Sequence, residues 1–187
     1  MNMEQNVIQK NMWNTAGKAG LFLGLAAAAF LFISQGLEQA GIPAILKSIL
    51  NFILWSAKFV GCIWIMKFFM KKSASENESV TNSDTFKLGM TMAFLSALVY
   101  SAFAFANVAF ISPDLFEGQM EAIMQQMAPM MDSNTQSMMD TYLENLPQVT
   151  FLSNLMYCFI YGMILSFILS RNIPSKDPFA DYKPEEQ

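Results

Sequence analysis

The chain has 187 residues, of which 53% are hydrophobic and only 14% charged; it carries a net charge of -4, with 17 Phe, 16 Met, 2 Cys and no His. The absence of His excludes a Ser-His-Asp or Cys-His catalytic pair and any zinc site that needs imidazole, and two Cys are too few for a four-thiolate site or a disulfide scaffold. The acidic balance argues against nucleic acid, which needs a basic face.

A soluble domain is about 25% charged. The deficit here is concentrated in four apolar stretches, at residues 17–37, 45–69, 88–111 and 149–170. Each is long enough for the ~20 helical residues that cross a hydrocarbon core. They are apolar nearly all round, without the polar face of a soluble amphipathic helix. The expected fold is therefore all-α: an integral membrane four-helix bundle over residues 1–171, embedded in the lipid bilayer.

In the first stretch the small residues Ala26–Ala29 resemble a signal-peptidase site. The apolar run continues through Phe30, Leu31, Phe32 and Ile33, too far for a signal core, so it reads as a span. Ala16, Gly20, Gly24 and Ala28 recur every four residues and form a stripe on which another helix can pack closely. Packing within the chain is the plainer use of that stripe; a homodimer face is the sharper one.

The second stretch carries Ser48, Asn51, Trp55, Lys58 and Cys62 along one face. Lys58 stands near the middle of the span, where a lysine costs about 2.5–3.5 kcal/mol on insertion scales. The hydrocarbon boundary is roughly 15 Å away at 1.5 Å per residue, too far for full snorkelling. Every Asp and Glu lies outside the four spans, so no carboxylate is at hand to pair with it. The polar 73–84 segment reads as a solvated connector.

The third stretch carries Ser96, Tyr100, Phe103 and Asn107 on one face, and the fourth carries Thr150, Asn154, Tyr157 and Tyr161. Lipid cannot satisfy such groups, so the three polar stripes are expected to turn inward. Asn51, Lys58, Tyr100, Asn107, Asn154, Tyr157 and Tyr161 would then surround a polar pocket. The plainer reading is interhelical hydrogen bonding without a ligand. Cys62 and Cys158 read as small buried hydrophobes.

The 112–147 segment between the third and fourth stretches has helical grammar. Ser112 suits a cap and Pro113 a first helical position. Phe116, Met120, Ile123, Met124, Met127 and Met131 follow at helical spacing, and Pro129 should end that helix. Ser133 with Gln136 reads as a capping box opening a second helix. Two amphipathic helices forming a hairpin are expected. The seven Met of the segment (120, 124, 127, 130, 131, 138 and 139) could suggest Cu(I), which favours thioethers. Helical periodicity alone explains them as flexible apolar surface, and no His or Cys is present to complete a site. No metal and no cofactor are expected. The 172–187 tail, with three Pro among acids, reads as a disordered cytoplasmic tail.

Charge sets orientation. Lys10, Lys18, Lys67, Lys71, Lys72, Lys87, Arg171, Lys176 and Lys183 flank one side of the membrane, and only Lys47 the other. By the positive-inside rule both termini are cytoplasmic and the Met-rich hairpin is extracytoplasmic.

Several short motifs carry a resemblance. Phe86-Lys87-Leu88-Gly89 opens the third helix and Tyr100 lies within it. Ile111-Ser112-Pro113-Asp114 closes it, an acidic Met-rich segment follows, and Gly162-Met163-Ile164-Leu165-Ser166-Phe167-Ile168 lies in the fourth. Over residues 10–171 the chain resembles a family of small bacterial four-helix membrane proteins called domain of unknown function 4199. The resemblance implies a multi-pass protein of the bacterial inner membrane and no known activity. With no nucleophile-base pair or intramembrane carboxylate in view, no enzyme is expected. Two functions are: a structural or accessory protein acting through the outer Met-rich hairpin, on a homodimer or a membrane protein partner, or alternatively a small transporter or solute-binding protein using the pocket around Lys58. The first is preferred, because four helices lack the internal repeat common in transporters.

Overall fold

The computed structural model describes residues 3–76, 80–127, 129 and 132–173, and every regular element in them is helical. In chain order these are α1 (Met3–Gln39), α2 (Ala44–Glu76), α3 (Asn82–Ala106), a π turn (Asn107–Ile111), α4 (Pro113–Met127), α5 (Ser133–Glu144) and α6 (Leu146–Asn172). Four of them are long and apolar enough to cross a membrane: Asn11–Gln39, Ala44–Glu76, Asn82–Ile111 and Leu146–Asn172. Each contains one of the apolar runs and extends beyond it. Large side chains face outward along these helices; Phe52 and Trp64 are each 67% exposed and Val60 is 63% exposed. A soluble monomer does not carry so continuous an apolar surface, whereas lipid covers it without cost.

α3 is the central helix and packs most extensively on α6 and α1. Both interfaces are built on small residues. A Cβ on Gly20 would come within 2.7 Å of Leu95 Cβ, and one on Gly24 within 2.6 Å of Val99 Cβ. Ala16, Ala19 and Ala28 are buried on the same face. The Ala16-Gly20-Gly24-Ala28 stripe is therefore occupied by α3 of the same chain, and a dimer through it would have to displace that helix. On the other side, a Cβ on Gly162 would lie 2.5 Å from Ala93 Cβ, and one on Gly89 would lie 2.9 Å from Ser166 Cβ. Ser166 also donates a hydrogen bond from Oγ to the Phe86 carbonyl at 2.9 Å. Without a hydrophobic drive between helices in lipid, this close backbone approach carries the association.

α2 is held differently. Its buried residues are Met66, Met70 and Ser73, all toward its C-terminal end. There Met66 and Met70 join a core with Ala16, Ala19, Leu23, Leu88, Met92, Ala93, Leu169 and Ile173. The N-terminal half of α2 has no buried residue and meets α3 and α6 through long side chains, Lys58 over the Tyr100 ring and Phe59 against the Tyr161 ring.

Local chemistry corrects three expectations. The 73–84 connector is shorter than expected. α2 runs to Glu76, Ser73 and Val80 are buried, and α3 begins behind a Thr81/Asp84 capping box. In that box Asp84 N–H donates to Thr81 Oγ1 at 3.1 Å and Thr81 N–H to Asp84 Oδ2 at 3.3 Å. The second helix of the 112–147 segment is capped by Asp132 instead of Ser133: Thr135 N–H donates to Asp132 Oδ1 at 2.8 Å. The carboxylate also competes well because its charge favours a helix N-terminus. Finally, α6 starts at Leu146, three residues before the apolar run, with Pro147 in its first turn.

α4 ends at Met127, two residues before Pro129. It packs against the π turn, and α5 against α6. No residue of α4 is buried, nor any described side chain of α5. Met130 and Met131 lie outside the described residues, as does the tail from residue 174.

Candidate functional site

The gap beside the N-terminal half of α2 is a cavity of about 560 Å³. Five elements wall it. α1 supplies Phe30, Leu31, Ser34, Gln35 and Glu38; α2 supplies Asn51, Leu54, Trp55 and Lys58. α3 with its π turn supplies Tyr100, Ala104, Asn107 and Val108, α4 supplies Leu115, Phe116 and Gln119, and α6 supplies Thr150 and Asn154. Its size falls within the roughly 300–1,000 Å³ range of small-molecule sites, and a largely apolar wall with a few polar groups is their usual composition.

Lys58 marks one end. Its Nζ lies 4.5 Å from the centroid of the Tyr100 ring. The two ion pairs among the described residues are Lys72–Glu76 and Lys87–Asp84, so neither involves Lys58. A cation–π contact contributes about 0.5–2 kcal/mol. That is less than the ~2.5–3.5 kcal/mol insertion cost of a central lysine. Tyr100 alone therefore does not account for Lys58, which also lines the cavity.

Opposite lies a polar latch. Asn107 Nδ2 donates to Gln35 Oε1 at 2.7 Å, and Gln35 Nε2 donates to Ser112 Oγ at 2.7 Å. These bonds tie α1 to both ends of the π turn. The turn itself closes through Ser112 N–H to the Asn107 carbonyl at 2.9 Å, a five-residue spacing. Pro113 explains why it forms here. Proline has no N–H to donate and bars its predecessor from helical geometry; Ser112 accordingly sits at φ -142°, ψ 50°. The extra residue in the turn lets both Asn107 and Val108 face inward, while Phe110 and Ile111 face out.

Four buried polar atoms among the described residues have no partner: Asn51 Oδ1, Asn107 Oδ1, Ser101 Oγ and Tyr161 OH. The two amides belong to cavity residues. Asn107 is only 2% exposed, and half of its amide is already committed to Gln35. An unmatched buried acceptor costs about 1–3 kcal/mol, so these two oxygens call for a donor.

Of the seven residues expected around a pocket, Asn51, Lys58, Tyr100, Asn107 and Asn154 share this cavity. Asn154 turns its Nδ2 back to the Thr150 carbonyl on its own helix, at 2.8 Å. Tyr157 does not join them and is 72% exposed. The reason is rotational. α6 packs on α3 through Gly162, Ser166 and Leu169, and Tyr157 lies five residues before Gly162. At about 100° per residue that puts it roughly 140° away from the packed face. Tyr161 remains inside but is absorbed by α2, its ring 5.7 Å from Phe59. Cys62 and Cys158 are half-buried free thiols, less enclosed than expected. Sequence reasoning missed Gln35, Ser34, Glu38 and Gln119. The available signal was a run of Ser34, Gln35 and Glu38 at helical spacing at the end of an otherwise apolar helix.

The family described as "Protein of unknown function (DUF4199)" matches residues 18–171, from within α1 to the last turns of α6. The chain belongs to this family. No curated protein and no solved structure matches it. For this DUF4199 protein the motifs Phe86–Gly89 and Gly162–Ile168 thus have a structural role, holding α6 on α3 through Gly89, Gly162 and Ser166.

Proposed function

We propose that this protein binds a small solute in the cavity beside α2, as a solute-binding or transport protein of the bacterial inner membrane, with both termini cytoplasmic and α4 and α5 on the outer side. The observation that carries this reading is Lys58 facing a 560 Å³ cavity together with the unpartnered Asn51 and Asn107 oxygens. α4 lines this cavity through Leu115, Phe116 and Gln119, so α4 acts as its cover.

The test fills the cavity. Ala104 is 3% exposed and lines it, so Ala104→Phe should occupy the space a solute needs. Native mass spectrometry of protein extracted from its own membranes in mild detergent should show a bound small molecule on the unmodified chain. Ala104→Phe and Lys58→Met should both lose it while remaining folded. Retention by both variants would defeat the proposal.

A second reading rests on a different observation: α4 and α5 offer an apolar face with no buried residue among the described side chains. That surface suits an accessory role toward lipid or a membrane partner.

A further inference from the structure

We infer that the solute of this cavity is an amphiphilic carboxylic acid carrying a hydroxyl or amide N–H, and that it enters from the bilayer. This rests on the binding reading above and names its ligand class. Lys58 is the one cation lining the cavity and makes no ion pair among the described residues. Glu38, the one carboxylate on the wall, is exposed at the end of α1 beside Lys47, whose Nζ donates to its carbonyl, so Lys58 suits one anionic group. A doubly charged ligand would leave one charge unmatched in a mostly apolar enclosure. The Asn51 and Asn107 oxygens can only accept, so the same molecule must also donate. Phe30, Leu31, Leu54 and Phe116 line the remainder and require an apolar body.

The route follows from charge and packing. The end of the bundle nearest α4 carries Glu38, Asp114, Glu117, Glu121, Asp132, Asp140 and Glu144 against Lys47 alone. An anion approaching through water there meets a repulsive field. Along α2, by contrast, no residue before Met66 is buried, and Asn51, Leu54, Trp55 and Lys58 of that stretch line the cavity, so this is the side from which a molecule dissolved in the bilayer would reach it. An amphiphile dissolved in the membrane avoids the acidic end altogether.

The test uses the full chain in phosphatidylcholine nanodiscs and reads the ligand-induced rise in Tm, which tracks binding to the folded state. N-lauroylglycine has the acid, the amide N–H and the apolar chain. Its methyl ester lacks the charge, laurate lacks the N–H, and N-acetylglycine lacks the chain. N-lauroylglycine should raise Tm with saturation, and the ester should not. Lys58→Met should raise its half-maximal concentration about tenfold or more, as expected for a lost charge-assisted hydrogen bond. Asn51→Leu should reduce its advantage over laurate. An ester as effective as the acid would overturn the ligand class and leave the cavity reading standing. Failure of all four compounds to stabilise the chain would overturn the inference, while the bound-mass experiment separately decides the cavity reading. A response to N-acetylglycine equal to that of N-lauroylglycine would overturn membrane entry and point to a water-borne acid.

Discussion

Glycine decides more of this bundle than any large side chain. Gly89 and Gly162 each sit where a Cβ would come closer than 3.0 Å to a side chain of the facing helix. Substituting either by Ala should therefore destabilise the protein, by about 1–3 kcal/mol of overpacking. Gly61 has nothing within 4 Å of its Cβ position. Gly61→Ala should be neutral or stabilising by about 0.4–1 kcal/mol, since alanine is the better helix residue and narrows the unfolded ensemble. Thermal unfolding in one detergent distinguishes the two groups, and equal effects would refute the packing assignment. Gln35 makes a second residue-scale case. It satisfies Asn107 Nδ2 and reaches Ser112 at once. Gln35→Leu should cost about 1–2 kcal/mol, near the upper end for interhelical hydrogen bonds in membranes. Hydrogen exchange should rise at the π turn in that variant; unchanged protection there would mean the latch does not hold it.

At the scale of elements, the sequence disclosed the helices better than their ends or rotations. The apolar runs located four spans because lipid imposes one requirement on every residue of such a helix. Helix ends depend on single bonds instead. Asp132 takes the cap that Ser133 with Gln136 pointed to, and a five-residue turn before Pro113 has no signature in hydrophobicity. Rotation was readable where small residues dictated it, as with the Gly20/Gly24 stripe. It was misleading for Tyr157, whose helix is turned by Gly162 and Ser166 and not by its tyrosines. α4 and α5 test whether their Met act as surface or as ligands. Met120, Met124 and Met127 follow one helical face, so replacing them by Leu together with Met131 should leave folding and membrane association unchanged. Loss of function with folding intact would favour thioether chemistry. Asp132 adds a pH dependence. Its hydrogen bonds to Thr135 hold its carboxyl below the usual carboxylate range. A depressed folded-state value means that its contribution is present above the unfolded pKa and lost as pH falls through the folded one. α5 should therefore lose helicity on strong acidification, and Asp132→Ala should remove that acid-dependent step in circular dichroism.

For the whole molecule, orientation follows from charge and cavity together. Nine of the eleven Lys and Arg flank one side of the four spans, Lys47 flanks the other, and Lys58 lies within. Lysine and arginine close to span ends resist translocation, so the nine should remain cytoplasmic. The cavity lies toward the opposite end, walled by the end of α1, the start of α2, the π turn and α4. α2 joins the core through Met66 and Met70, with Cys62, Ile65, Phe69 and Ala74 packed against it, toward the lysine-rich side. α2 is thus packed into the core at the bundle's basic end, and the cavity lies beside it toward the acidic end. Reporter fusions after Lys72 and after Arg171 should report cytoplasm, and one at Ser133 should report the outside. A cytoplasmic signal at Ser133 would place the cavity mouth on the cell interior. Replacing Lys71, Lys72 and Lys87 by Gln removes three charges from the facing ends of α2 and α3 and should weaken the orientation. Mixed reporter signals at Arg171 and Ser133 are the expected result. An unaltered topology in that variant would mean that something other than loop charge, such as early packing of α1 on α3, sets the orientation.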